Sequence, residues 1–172
     1  MTSPPPDLFK NPPPRRKAAL ALATCNGLIA VIRRTYWSSI SEWGLPGGGA
    51  SADTTARDAL TLALHDKLGW RVTPGRLLAA DDAPGTDRAP EGTNWVYHVA
   101  VEPGTPTKPS GGYAELRWAS LNEACVLAVN HERLRIEECV RALADGRFRE
   151  LILGVPTTYP DYPAALVARD GG

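Results

Sequence analysis

The sequence predicts an α/β domain, a mixed β-sheet with helices packed against it. Three observations carry this expectation. Apolar runs of strand length alternate with two amphipathic helical patterns in the order β, β, loop, α, β, β, β, α. Asn26-Gly27, the strongest short hairpin signal, joins the first two of those runs. The chain has 172 residues and 43% hydrophobic content, which is the size of one domain with enough apolar surface for a core.

Taken in order, residues 1–16 carry six prolines in two PPP runs and lead into Arg15, Arg16 and Lys17. Proline runs cannot build a helix or sheet interior, so this stretch is expected as a flexible leader, with a partner-docking arm as the other use of such a segment. Residues 18–24 read as a buried strand and residues 28–32 as its return strand, ending at Arg33 and Arg34. Trp43-Gly44-Leu45-Pro46-Gly47-Gly48-Gly49 reads as a glycine-dense loop opening onto a helix. Ala56, Ala59, Leu60, Ala63, Leu64 and Leu68 follow the i, i+3, i+4, i+7 spacing of one buried face. Asp53, with two threonines after it, offers capping chemistry at the start, and Gly69 a natural stop.

Residues 77–80 and 94–101 read as further strands. Between them, 81–93 is rich in Asp, Gly and Pro and is expected as a long exposed loop carrying Asp81, Asp82 and Glu91. A second loop spans 103–112, Glu115-Leu116-Arg117-Trp118 is a short strand, and 120–123 a turn. A second amphipathic helix runs from Asn130 to Gly146, with Asn130 as its cap. The expected domain is therefore 17–150, with 151–172 as an extended arm.

Charge and composition exclude several classes. Nineteen Lys+Arg balance nineteen Asp+Glu, which argues against nucleic-acid binding through a broad basic field. Cys25, Cys125 and Cys139 form no CxxC pair, so neither a disulfide framework nor a thiolate zinc site is expected. No apolar run approaches the ~20 residues of a membrane span, and the N-terminus has no signal-peptide core, so a cytoplasmic protein is expected.

A glycine-rich loop opening onto a helix is a phosphate cradle, because free N–H groups and the helix dipole favour an anion there. Glycines also merely permit a tight turn. The segment WGLPGGG, followed by a helix ending in Leu68-Gly69-Trp70, resembles the Nudix family of pyrophosphohydrolases. The family signature is Gly, five residues, Glu, seven residues, Arg-Glu-aliphatic, one residue, Glu-Glu, one residue, Gly-aliphatic. It aligns without a gap if Gly48 is the first glycine and Gly69 the last. The hairpin ending in Arg33-Arg34, Trp43 upstream, and Glu115-Leu116-Arg117-Trp118 followed by Asn122-Glu123 match as well. The resemblance covers about residues 17–146 and implies an α/β/α sandwich. It also implies helix glutamates that hold magnesium or manganese on a diphosphate while water attacks phosphorus.

The glutamates do not carry over. The first falls on Thr54, the Arg-Glu pair on Leu62 and Ala63, and the last pair on Asp66 and Lys67. The stripe offers one carboxylate, Asp66, beside one ammonium, whereas a hard divalent cation needs clustered oxygen ligands. No metal cofactor is therefore expected, magnesium or manganese entering only with residual hydrolase activity. Lys67 is instead a point charge for an anionic ligand where the cation normally sits, or a solvated lysine on a drifted helix. Asp66 or His98 would serve as the acid or base of altered chemistry. Candidate ligand contacts are Gly47, Gly48, Gly49, Lys67, Arg33, Arg34 and Trp37, the last as a stacking aromatic beside Tyr36. His131 reads as part of a capping turn and Glu115 as structural. The expected partner is a small molecule, a nucleotide or diphosphate, with no nucleic acid and no membrane; a homodimer fits the family. Two functions follow: a binding module with an altered site, or a weakly active hydrolase of a nucleoside-diphosphate derivative.

Overall fold

The computed structural model describes residues 14–35, 42–87 and 89–157. One mixed sheet forms the middle layer, built from β1 (Arg16–Cys25), β2 (Leu28–Arg34), β3 (Trp43–Gly44), β4 (Gly47–Ala50), β5 (Leu77–Ala83), β6 (Gly92–Ala100), β7 (Tyr113–Ala119), β8 (Arg149–Ile152) and β9 (Val155–Pro156). Its order is β3-β2-β1-β6-β5-β8-β9, with β4 also paired to β1 and β7 to β2. β1 runs parallel to β6 and β5 parallel to β8, while the other pairs are antiparallel.

Alternation along β1 explains the layers. Ala19, Ala21 and Ala23 face α1 (Ala56–Leu68) and its buried Leu60, Leu64 and Leu68. Leu20 and Leu22 face the other way, packing with Ile136, Cys139 and Ala142 of α3 (Asn130–Asp145) and Ala124 of α2 (Leu121–Leu127). The alanines matter because small side chains let α1 lie close on the central strand. Asn26 and Gly27 turn the hairpin, both at positive φ (50° and 76°), the conformation that Asn-Gly supplies at least strain. Gly69 closes α1 at φ 75°, its N–H bonded to the His65 carbonyl.

Several elements differ from expectation. Gly47 to Gly49 are not a loop leading into a helix; they form β4, held against β1 in the register Leu20↔Gly47 and Ala18↔Gly49. α1 begins only after a further turn, capped by Thr55, whose hydroxyl accepts from the Asp58 N–H; Asp53 instead accepts from Ser51. The 120–123 turn is the start of α2, with a capping box in which Ser120 and Glu123 satisfy each other's backbone N–H groups. Asn130 is not a cap. Val129 holds the cap position, and Asn130 itself sits at φ 53°.

β5 runs through Ala83, so Asp81 lies in a strand, fully buried, and not on an exposed loop. β8 and β9 carry the sheet to Pro156, past the expected boundary at 150. The proline-rich leader up to residue 13, Tyr36, Trp37 and the chain from 158 lie outside the described residues. Among the described residues no helix is long and apolar enough to cross a membrane.

Candidate functional site

A cavity of about 370 Å³ opens on the Leu20 face of the sheet. Its floor is Ala18 and Leu20, with Arg16 at the strand's beginning. Gly47, Gly48 and Gly49 of β4 and Tyr113 of β7 form one wall. The first turns of α3 supply His131, Glu132 and Arg135, and the β5–β6 connection closes over them with Pro84, Thr86 and Pro90.

A buried ionic network sets the geometry on the α3 side. The Arg135 side chain is 3% exposed; its Nε donates to Asp81 Oδ2 at 2.5 Å and its Nη1 to Glu132 Oε2 at 2.9 Å. The other Asp81 oxygen accepts from the Gly154 N–H at 2.9 Å, which ties the β8–β9 turn to the same carboxylate. Arg34 Nη1 lies 3.5 Å from Glu132 Oε1, and its Nη2 donates to the Leu45 carbonyl. Burial alone would raise the Glu132 carboxyl, but Arg135 and Arg34 outweigh it and hold it below the ordinary glutamate range. Likewise burial would lower the Arg135 guanidinium, and the two carboxylates keep it above its ordinary value. Two arginines and two carboxylates thus cancel. His131 is held below the usual histidine value by burial and then by Arg135, which favours the neutral imidazole.

At the β4 wall, Tyr113 Oη donates to the Gly47 carbonyl at 2.5 Å and lies 2.6 Å from the Gly47 nitrogen. Lys67 of α1 reaches the same carbonyl, its Nζ donating at 3.0 Å while sitting 5.0 Å from the Tyr113 ring centroid. Gly48 is needed here, because a Cβ would stand 3.1 Å from Ala63 Cβ and 3.4 Å from Lys67 Nζ. At the opposite end, Arg16 Nη1 donates to Asn94 Oδ1 at 3.0 Å. Asn94 is 5% exposed, and its amide nitrogen lies 3.4 Å from the Asp81 carbonyl.

The structure sorts the sequence candidates. Gly47, Gly48, Gly49 and Arg34 line the cavity, and Lys67 touches its β4 wall. Arg33 points away, to exposed Glu115 at 3.5 Å. Asp66 is exposed and turned to His65 Nδ1 at 3.1 Å, away from the cavity. His98 is also elsewhere: its Nε2 lies 2.9 Å from Thr24 Oγ1, and burial followed by Arg76 lowers its pKa. Trp37 lies outside the described residues. Arg16, Asn94, Tyr113, His131, Glu132 and Arg135 are the lining residues that sequence reasoning missed. A usable signal existed for one pair, since Glu132 and Arg135 stand three apart on a helix and Arg135 falls on its apolar stripe.

The mixed sheet thus lies between α1 on one face and α2 and α3 on the other, with a cavity walled by a glycine strand. The chain belongs to the NUDIX family: the NUDIX domain model matches residues 14–139. Solved structures agree in fold. The E. coli ORF135 protein shares 22% identity at a TM-score of 0.63, over 77% of this chain and 93% of that one. A MutT protein from Methanosarcina mazei Go1 shares 17% at 0.64, over 79% and 98%. An ADP-ribose pyrophosphatase from Streptococcus suis 89-1591 shares 16% at 0.59, over 80% and 98%. No match was found among curated proteins.

Proposed function

We propose that this NUDIX domain binds a phosphate-bearing small molecule, a nucleotide or diphosphate, and does so without the metal-dependent pyrophosphate hydrolysis usual in its family. The observation that carries the reading is the Lys67 ammonium on the Gly47 carbonyl at 3.0 Å. A side-chain cation already sits at the seam between α1 and β4, and among the described residues it has no carboxylate partner.

The donor set does not fit magnesium or manganese. Of the five signature positions that would carry the acidic and basic side chains, Thr54, Leu62 and Ala63 offer no charge, and Leu62 is 60% exposed. Asp66 is engaged with His65, and among the described residues no three His, Cys, Asp or Glu side chains lie together as a metal site. A lysine is a competent point-charge partner for phosphate, and it needs no hydration shell stripped from a divalent ion. The name of one similar structure, an ADP-ribose pyrophosphatase, supports the ligand class.

The test is calorimetric binding of inorganic pyrophosphate and of a nucleoside diphosphate in the presence of a chelator. Binding is expected in chelator, and Lys67→Ala is expected to weaken it about tenfold or more, the scale of one charge-assisted contact. The pH dependence has a defined sign. Burial, then the charge of Arg34, lowers the Lys67 pKa, so its charge and the affinity are lost on raising pH below the ordinary lysine value. Lys67→Arg moves that loss to higher pH. Affinity unaffected by Lys67→Ala would contradict the proposal.

A further inference from the structure

What the cavity offers a ligand is mostly carbon. Ala18 and Leu20 form its floor, Leu45 and Leu153 join the lining, and Pro84 and Pro90 close over them. The polar side chains around this space are turned to one another. Glu132 meets Arg34 and Arg135, Asp81 meets Arg135 and the Gly154 N–H, and Arg16 lies in the field of both carboxylates while donating to Asn94 Oδ1 at 3.0 Å. Thr86 Oγ1 accepts from the Ala89 N–H at 3.2 Å, and the Tyr113 hydroxyl is bonded to Gly47. Among the described residues no buried side-chain N or O atom lacks a hydrogen-bond partner.

A nucleobase asks for two things, a ring to stack on and hydrogen-bonding groups that meet its edge. Tyr113 is the one aromatic among the lining residues, and its hydroxyl is committed to β4 while Lys67 Nζ stands 5.0 Å from its ring centroid. Seating a base here would bury its N–H and carbonyl groups against leucine, alanine and proline, at the cost of their hydration. An aliphatic body carries no such cost, because burying carbon is favourable by itself. The glycine wall joins this space to the charged seam. Gly47 lines the cavity, and its carbonyl is the one to which Lys67 donates, so a phosphate at the seam and a body in the cavity would meet at Gly47. We infer that the cavity takes the aliphatic chain of an alkyl or prenyl diphosphate in place of a nucleoside. This inference rests on the phosphate-binding reading above and names the chemical class of the ligand's uncharged part.

Calorimetry in chelator tests it with inorganic pyrophosphate, methyl diphosphate, isopentenyl diphosphate, adenosine diphosphate and uridine diphosphate. A fully buried methylene is worth about fourfold in affinity, so isopentenyl diphosphate is expected to bind about tenfold or more tighter than methyl diphosphate. Its heat-capacity change on binding is expected to be the more negative, the mark of buried apolar surface. The two nucleoside diphosphates are expected within about threefold of methyl diphosphate, held by the diphosphate alone. Two variants place the effect in the cavity. Leu153 sits at φ 50°, a conformation asparagine adopts with less strain, so Leu153→Asn puts an amide in the lining and is expected to keep the parent's unfolding midpoint. Ala18→Leu fills the floor. Each is expected to lower the isopentenyl-to-methyl ratio about fourfold or more. Equal affinities for methyl and isopentenyl diphosphate, nucleoside diphosphates that bind tighter than isopentenyl diphosphate, or a ratio untouched by both variants would overturn the inference while leaving phosphate binding standing. Absence of binding by pyrophosphate and by every diphosphate would overturn both.

Discussion

Arg135→Ala is expected to destabilise the domain by about 3–5 kcal/mol, read as a fall in the urea unfolding midpoint at constant slope. The reason is what remains. Asp81, fully buried, and Glu132, 7% exposed, lose the guanidinium that compensates them in a site with little water to replace it. The Gly154 N–H still reaches Asp81, but a backbone amide does not neutralise a charge. The comparison is Arg33→Ala, which breaks an exposed pair with Glu115 and is expected to cost no more than about 0.5 kcal/mol. Acid narrows the Arg135 difference. Glu132 is held below its ordinary value in the fold, so its contribution is present above the unfolded glutamate value and lost as pH falls through the folded one. In the variant burial dominates instead and Glu132 is neutralised sooner on acidification, so the two proteins converge at low pH. A loss for Arg135→Ala no greater than that for Arg33→Ala would show that the network is not what holds α3 to the sheet.

Gly47→Ala is expected to cost about 3 kcal/mol or more, the upper end for forcing an extra carbon into a packed site. For a chain of this length that lowers the melting temperature by roughly 6–12 °C. A Cβ at this position would stand 2.1 Å from the Ala19 carbonyl oxygen and 2.8 Å from Leu20 Cα. Both are backbone atoms of the central strand and neither can swing aside. β4 must therefore leave β1, taking with it the carbonyl that Lys67 and Tyr113 share. Ligand affinity is expected to fall together with stability. Gly49→Ala is the control, since its nearest neighbour would be the Lys17 carbonyl at 4.0 Å. Equal melting temperatures for the two variants would contradict the close approach of β4 to β1.

What could be read from the sequence divides along the same physical line. The 3.6-residue spacing of α1, the Asn-Gly hairpin and the glycine stops are local signals, and the elements they mark are present. So is the fold of the family, because its alignment needs only spacing. The α2 helix is legible through Ser120 and Glu123, a capping box three apart, but its seven residues are too few to display a helical periodicity. Asp81 was not legible. An aspartate next to Asp82 before a Gly- and Pro-rich stretch reads as solvated, and its partner Arg135 is 54 residues away, brought to it by the packing of α3 on β5. The cavity is similar in kind. Periodicity assigns Arg16 and Asn94 to faces of their strands, but only the parallel β1–β6 pairing puts them together. His98 shows the converse: an apolar stretch placed it in a strand, and nothing local told which side of the sheet held the cavity.

The central claim is that Lys67, and not a divalent metal, supplies the positive charge at the α1–β4 seam. Its most direct measurement is release of phosphate products from a panel of nucleoside diphosphates and their derivatives, run with magnesium, with manganese and with chelator, alongside calorimetric binding of the same compounds. The account predicts binding that persists in chelator and no turnover that either metal switches on. Metal-dependent release at ordinary enzyme rates, on the order of 1 per second or faster, would contradict it.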